Sequence, residues 1–188
     1  MEQLLGNDQK FRGLYDRYFV AVRSYCLRRL PVSEVNDAVA ETFLVVWRRI
    51  DDVPAESAVR PWIYTIAKNV VRNANRSKRR RTRLNLRIDR LRSAPEPTSE
   101  TLVVSSAEND KVLRMLAELR PVDQEILRLS FWDELSNSEI AQILDIEPHA
   151  VTMRLSRARS RFAHRLGMET TKQSTEADPR PVTEGGER

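Results

Sequence analysis

Between residues 136 and 166, apolar positions recur at helical spacing in two blocks separated by a short break. Ser136, followed three residues later by Glu139, is a capping box and predicts a helix start. Ile140, Ile143 and Leu144 give that helix one apolar face. Asp145-Ile146-Glu147 breaks it. Pro148 suits the first turn of a second helix, where its missing N–H costs little. Val151, Leu155, Ala158 and Phe162 then recur at steps of three and four and predict a buried stripe. At about 100° per residue, His149, Thr152, Met153 and Ser156 lie opposite that stripe, with Arg154 and Arg157 on their flanks. An apolar back, short polar residues near the N-terminus and flanking arginines suit a helix that enters a DNA major groove. Front residues reach base edges and the cations hold phosphates.

The same reading extends upstream. Phe11, Leu14, Tyr15, Tyr18, Phe19, Val22, Tyr25 and Cys26 predict a helix over about 8–29, ended by Pro31. Ser33 is placed to cap a second over about 34–50, with Val35, Ala38, Val39, Phe43, Val46, Trp47 and Ile50 inward and Glu34, Asp37 and Glu41 outward. The loop DDVPAESAV follows. A third helix is expected from Pro61 through Trp62, Ile63, Ile66, Ala67, Val70 and Val71 into NANRSKRRR. SAPEPTSE then reads as a linker, with two prolines and no large apolar group. A second helical module runs through Val112, Leu113, Leu116 and Leu119, then from Pro121 through Ile126, Leu127 and Leu129, into the helix-turn-helix. After Gly167 the periodicity is lost and a disordered tail is expected. The chain thus reads as all-α. Two small helical domains (1–90 and 107–167) are joined by a flexible linker (91–106) and followed by a tail (168–188).

Charge sharpens the picture. Residues 107–147 hold ten acids and four bases, whereas 148–166 hold no acid and five bases. Such a switch is the footprint of one helix facing a polyanion. Residues 60–92 carry twelve bases against one acid, Asp89, and the run 76–92 fits either a track along DNA or polymerase or a solvated face. The net charge of +5 and pI near 9.7 point the same way. The single cysteine, Cys26, excludes a disulfide framework and fits a small core residue in a reducing cytoplasm. No stretch approaches the ~20 apolar residues of a membrane span, and MEQLLGNDQK lacks the order of a signal peptide.

SEVNDAVAETFLVVWRRI resembles the core-polymerase-binding helix of the extracytoplasmic-function (ECF) sigma factors, the compact group of the bacterial sigma-70 family. VRPWIYTIAKNVVRNANRSKRRR resembles their promoter −10-reading helix, and LRPVDQEILRLSFWDELSNSEIAQILDIEPHAVTMRLSRARSRF their −35-reading module. The three lie in the family's order over about residues 9–166. The resemblance implies that Asp37, Glu41, Phe43 and Trp47 belong to the helix docking on the clamp helices of polymerase β′. The two acids would be exposed, and Phe43 and Trp47 would pack inside. It implies that the loop 51–59, with Asp51, Asp52, Val53, Pro54, Ala55, Glu56 and Ser57, captures a flipped −10 base, whose extrusion costs a few kcal/mol. Trp62, Lys68, Asn69, Arg72 and Arg76 match the helix beside it. Trp62 is open to stacking or core packing, and Lys68, Arg72 and Arg76 stand one turn apart along a single strand's path. Pro148, His149, Thr152, Met153, Arg154, Ser156 and Arg157 match the −35 reader. Implied partners are core RNA polymerase (β′ clamp helices and β flap) and promoter DNA; the resemblance also allows an anti-sigma factor. It implies no cofactor, metal or catalytic residue.

The chain departs from the family pattern at several points. Ala40 stands where a glutamine is usual, Asp145 where the turn usually has glycine, and Glu147 where a serine-like cap is usual. Pro61 replaces a polar residue, and Met153 a small polar one. An L-residue at the turn glycine's position must tolerate a strained φ, which Asp does at some cost. Two other classes fit the sequence less well. A stand-alone helix-turn-helix regulator needs neither the acid-edged helix nor the aromatic-basic one. A nuclease lacks support: the histidines are His149 and His164 only, and Asp51-Asp52 is a poor metal cage without partners.

Overall fold

The computed structural model describes residues 2–88, 112 and 114–176, with side chains at 6–78, 80, 112 and 114–165. The first half holds helices α1 (Glu2–Leu27), α2 (Val32–Arg48), a 3₁₀ turn (Ile50–Asp52) and α3 (Glu56–Ile88). The second holds a helical stretch at 114–117, then α4 (Pro121–Phe131), α5 (Asn137–Leu144) and α6 (Pro148–Glu176). No strand occurs among the described residues. The linker 91–106 lies outside them.

Helix α1 begins earlier than the apolar stripe predicts, because its first turns are tied down by polar contacts. Asn7 Nδ2 donates to Asp51 Oδ1 (3.3 Å) and Lys10 Nζ to the Ile50 carbonyl (2.9 Å). Helix α2 is not capped by Ser33. Pro31, at φ −57° and ψ 146°, is the N-cap, and its carbonyl accepts the Glu34 N–H. Its extended backbone turns the chain into the helix without a side-chain cap. Helix α3 starts at Glu56, not Pro61, so Pro61 lies inside it. The carbonyl that loses its i+4 donor is that of Ser57, an exposed residue in the first turn of the helix, where the loss is cheapest.

α1, α2 and α3 pack on one another around Val22, Tyr25, Cys26, Val35, Val46 and Ile63. In the second half α4 and α5 pack on α6, around Ile126, Leu129, Ile140, Ile143 and Val151. The halves touch: α3 lies against α5, and the buried residues of both form one continuous cluster. Helix α6 continues past Gly167 to Glu176, into the stretch expected as a tail. One helical glycine costs about 1 kcal/mol, too little to stop a helix in a stretch without proline. Residues 177–188 lie outside the described residues. The turn from α4 to α5 presents Trp132, 39% exposed, beside the buried Asp133.

Candidate nucleic-acid interface

The helix-turn-helix forms as its sequence dictates. Ser136 caps α5: its Oγ accepts the Glu139 N–H at 3.3 Å, and Glu139 Oε2 accepts the Ser136 N–H at 2.8 Å. Asp145 ends the helix in the left-handed region (φ 55°, ψ 54°), and the N–H groups of Asp145 and Ile146 both return to the Ala141 carbonyl. Pro148 is the first residue of α6. Val151, Leu155 and Ala158 are buried and Phe162 is half-buried, while His149, Thr152, Met153, Arg154, Ser156 and Arg157 are all exposed. The predicted front and back of this helix are therefore both present. Thr152 Oγ1 is already engaged: it accepts from Asn137 Nδ2 (3.2 Å) and donates to the Pro148 carbonyl (3.3 Å). It thereby ties the recognition tip to α5. At the far side, buried Asp123 of α4 accepts from Arg161 Nη1 at 2.6 Å and fixes α6 on its support.

In the first half, Asp37 and Glu41 are exposed on one face of α2. Beside them lies a groove of about 460 Å³ between α1 and α2, lined by Phe11, Tyr15, Phe19, Phe43, Leu44 and Trp47 among others. Phe43 is buried and forms its floor. Trp47 is 38% exposed at the groove edge, its ring 5.3 Å from that of Phe11. This corrects the inward placement of Trp47: the periodicity marks it as apolar, but α1 covers only part of that face.

The expected base-capture loop is shorter than read. Asp51 and Asp52 belong to the 3₁₀ turn, and Glu56 and Ser57 open α3, so Val53, Pro54 and Ala55 alone form the loop. Glu56 is paired with Arg17 of α1. Trp62 is half-buried against the core with the Arg49 guanidinium 5.6 Å from its ring centre, so packing and a partly open face coexist. Arg72 and Arg76 are exposed, and Asn69 is half-buried. Lys68 is not free. Its ammonium donates to the Ile143 carbonyl near the C-terminal end of α5. There it satisfies an orphan carbonyl and complements the helix dipole. Burial, then the neighbouring Arg72, lower its pKa from the usual lysine value.

Sequence reasoning missed the network that joins the halves. Arg28 and Arg29, in the turn just after α1, both pair with Asp133, whose side chain is fully buried; the Arg29 contact is 3.1 Å. Arg29 also pairs with Glu125 at 3.0 Å and lies over the Tyr25 ring, 3.6 Å from its centre. Tyr25 Oη donates to Glu125 at 3.2 Å. Arg60 donates to the Asp133 carbonyl (2.6 Å) and the Glu134 carbonyl (3.3 Å). It thereby grips a turn in which Glu134 has φ 50°. Burial pushes the Tyr25 phenol well above its ordinary pKa. The one available signal is Asp133 directly after the apolar pair Phe131-Trp132, an acid with no predicted mate.

Two helical parts, one ending in an arginine-flanked helix-turn-helix and the other carrying a basic helix and an acid-edged apolar groove, define a DNA-binding transcription protein. Family models narrow this. "Sigma-70 region 2" matches residues 14–81 and "Sigma-70, region 4" matches residues 109–162. The chain is 31% identical over 138 residues to the RNA polymerase sigma factor NccH of Alcaligenes xylosoxydans xylosoxydans, covering 71% of this chain and 73% of that one. It is 28% identical over 178 residues to the sigma factor CnrH of Cupriavidus metallidurans (89% and 92% covered). To the ECF sigma-E factor of Escherichia coli K12 it is 29% identical over 175 residues (88% and 92%). Among solved structures, CnrH bound to the cytosolic domain of CnrY superimposes with a TM-score of 0.63 at 26% identity, covering 87% of this chain and 91% of that one. The sigma factor RpoE of Bartonella quintana, bound to the anti-sigma factor NepR, shares the fold (TM-score 0.62, 20% identity, 84% and 96% covered). The chain belongs to the ECF group of the sigma-70 family and is an RNA polymerase sigma factor.

Proposed function

We propose that the acid-edged groove of α1 and α2 is the dock for core polymerase, with Asp37 and Glu41 as its charged rim and Trp47 and Leu44 as its apolar lip. The observation that carries this is the adjacency of two exposed carboxylates, one turn apart, to an open aromatic groove on the same helix. A basic, apolar-edged helix of the β′ clamp fits both chemistries. The tip of α6 reads the −35 element through His149, Thr152, Met153 and Ser156, with Arg154 and Arg157 on phosphates. Val53–Ala55, Trp62, Arg72 and Arg76 hold the unpaired −10 strand. The protein performs no bond chemistry of its own and acts in the cytoplasm, where its polymerase is. Among the described residues no helix is long and apolar enough to cross a membrane. The complexes of CnrH with CnrY and of RpoE with NepR support an anti-sigma partner here too.

The test is titration of core enzyme with the double variant Asp37→Arg, Glu41→Arg. Like charge set against a complementary surface costs several kcal/mol, so core affinity should fall by two orders of magnitude or more, roughly. Undiminished affinity with an unchanged circular dichroism spectrum refutes the dock. A stand-alone DNA-binding regulator would bind duplex promoter without core enzyme and would be indifferent to the substitution.

A further inference from the structure

We infer, on the reading of Val53–Ala55 as the loop that takes the −10 base, that α1 is the frame of that loop. Lys10 and Arg17 hold its two ends and are positioning residues for base capture.

The loop does not place itself. Pro54 fixes its own φ at about −65° and confines the residue before it to extended backbone; Val53 is accordingly at φ −59° and ψ 119°. Three residues with so little internal freedom move as one stiff bridge, so their position is set by whatever holds the ends. On the α3 side nothing local does so. Ala55 precedes the helix and has no side-chain oxygen to cap it; its carbonyl accepts the Ala58 N–H at 2.8 Å.

α1 supplies both anchors. Asn7, Lys10, Leu14 and Arg17 recur at steps of three and four and share one face of the helix. Before the loop, Lys10 Nζ donates to the carbonyl of buried Ile50 at 2.9 Å, and Asn7 Nδ2 to Asp51 Oδ1 at 3.3 Å. After it, Arg17 Nη1 donates to Glu56 Oε1, on the first residue of α3. Leu14, between the anchors, packs on the core. Lys10 and Arg17 stand about 10 Å apart along the axis at 1.5 Å per residue, a separation the loop residues span in extended form. Arg49 braces the first end: its Nε donates to Asp52 at 3.0 Å while its guanidinium lies over Trp62.

The anchors are unequal. A charged donor on a backbone carbonyl in a partly buried setting outweighs an exposed ion pair, which water and salt screen. The Lys10 contact is the partly buried one, whereas Arg17 and Glu56 are both more than half exposed. Lys10 therefore carries more of the positioning.

The test uses holoenzyme reconstituted from core polymerase and the full chain, with a set of −10 single strands in which each nucleotide in turn is made abasic. Binding is followed by fluorescence anisotropy. With the parent, one abasic position should weaken binding far more than its neighbours and so mark the captured base; the base-to-abasic affinity ratio there is the readout. A residue serving only fold stability would weaken every strand alike and leave that ratio unmoved. Lys10→Met keeps the stem and removes the donor, and the ratio should fall about tenfold; Arg17→Met should lower it about two- to threefold. Lys10→Arg and Arg17→Lys, which return a cationic donor, should recover most of it. If Lys10→Met loses helicity by circular dichroism, Arg17→Met, at an exposed pair, decides alone. Pro54→Gly loosens the loop itself and checks the underlying reading. A ratio lowered by Pro54→Gly but unmoved by Lys10→Met and Arg17→Met overturns the frame and leaves the loop assignment standing. A parent with no such abasic position, or a Pro54→Gly ratio equal to the parent's, shows that the loop is not the base pocket, and both readings fall.

Discussion

Asp145 holds the bend of the helix-turn-helix in the left-handed region, at φ 55° and ψ 54°. For a residue with a Cβ that conformation costs about 1–2 kcal/mol, least for Asp and Asn, whose side chains bond locally. Replacing Asp145 by Ala keeps the cost and loses the local compensation. Gly removes the cost but widens the unfolded ensemble, which returns about 0.4–1 kcal/mol. The Gly variant should therefore exceed the Ala variant by about 1 kcal/mol, with the parent between them. For a chain of this size that is a gap of about 2–4 °C in Tm, readable by thermal circular dichroism of the full chain. A second effect competes, because Asp145 lies close enough to Lys68 to favour its charged form. Asp145→Asn distinguishes them: it keeps tolerance of the left-handed region and removes the charge. If strain governs, Asn melts near the parent. If Asn falls as far as Ala, the charge matters and the strain argument is wrong. Equal melting of Gly and Ala refutes it outright.

Arg157→Ala should weaken holoenzyme binding to all promoters alike and flatten the salt dependence by about one counterion, whereas substitutions at His149 should change which upstream base pairs are selected, by about 1–3 kcal/mol for a good contact. Selection from a promoter library with each holoenzyme separates the two; uniform weakening by His149 variants would show that the front face is misassigned. Burial pushes the Cys26 thiol up to about 11, so at pH 8 only about one in a thousand is thiolate. Alkylation by iodoacetamide should be slow in the native protein and should accelerate by orders of magnitude in guanidinium; rapid native alkylation would place Cys26 at the surface.

What the sequence made legible follows from periodicity and local chemistry. The capping box at Ser136 and Glu139, the strained turn at Asp145 and the buried stripe of α6 are each set by neighbours within one or two turns, and each is present. Errors cluster where the deciding contact is distant. Trp47 reads as core because it is apolar at helical spacing, yet α1 leaves its edge open. Helix α3 starts before Pro61 although proline usually marks a first turn, because the preceding turn is tied down from α1 by Arg17. Lys68 reads as a free cation because nothing nearby in sequence claims it; its acceptor is 75 residues away. The pairs of Arg28 and Arg29 with Asp133 span more than 100 residues, so no local pattern can match the acid in FWDEL to its partners.

The three tryptophans fall on three different working surfaces: Trp47 at the lip of the groove, Trp62 under Arg49 on α3, and Trp132 on the turn beside Asp133. Indole emission moves to shorter wavelength as its ring is dehydrated. The chain therefore carries its own optical reporters, with no dye required. Replacing any two of them with phenylalanine leaves a single emitter, so that docking, strand capture and separation of the halves can each be timed by its own colour change.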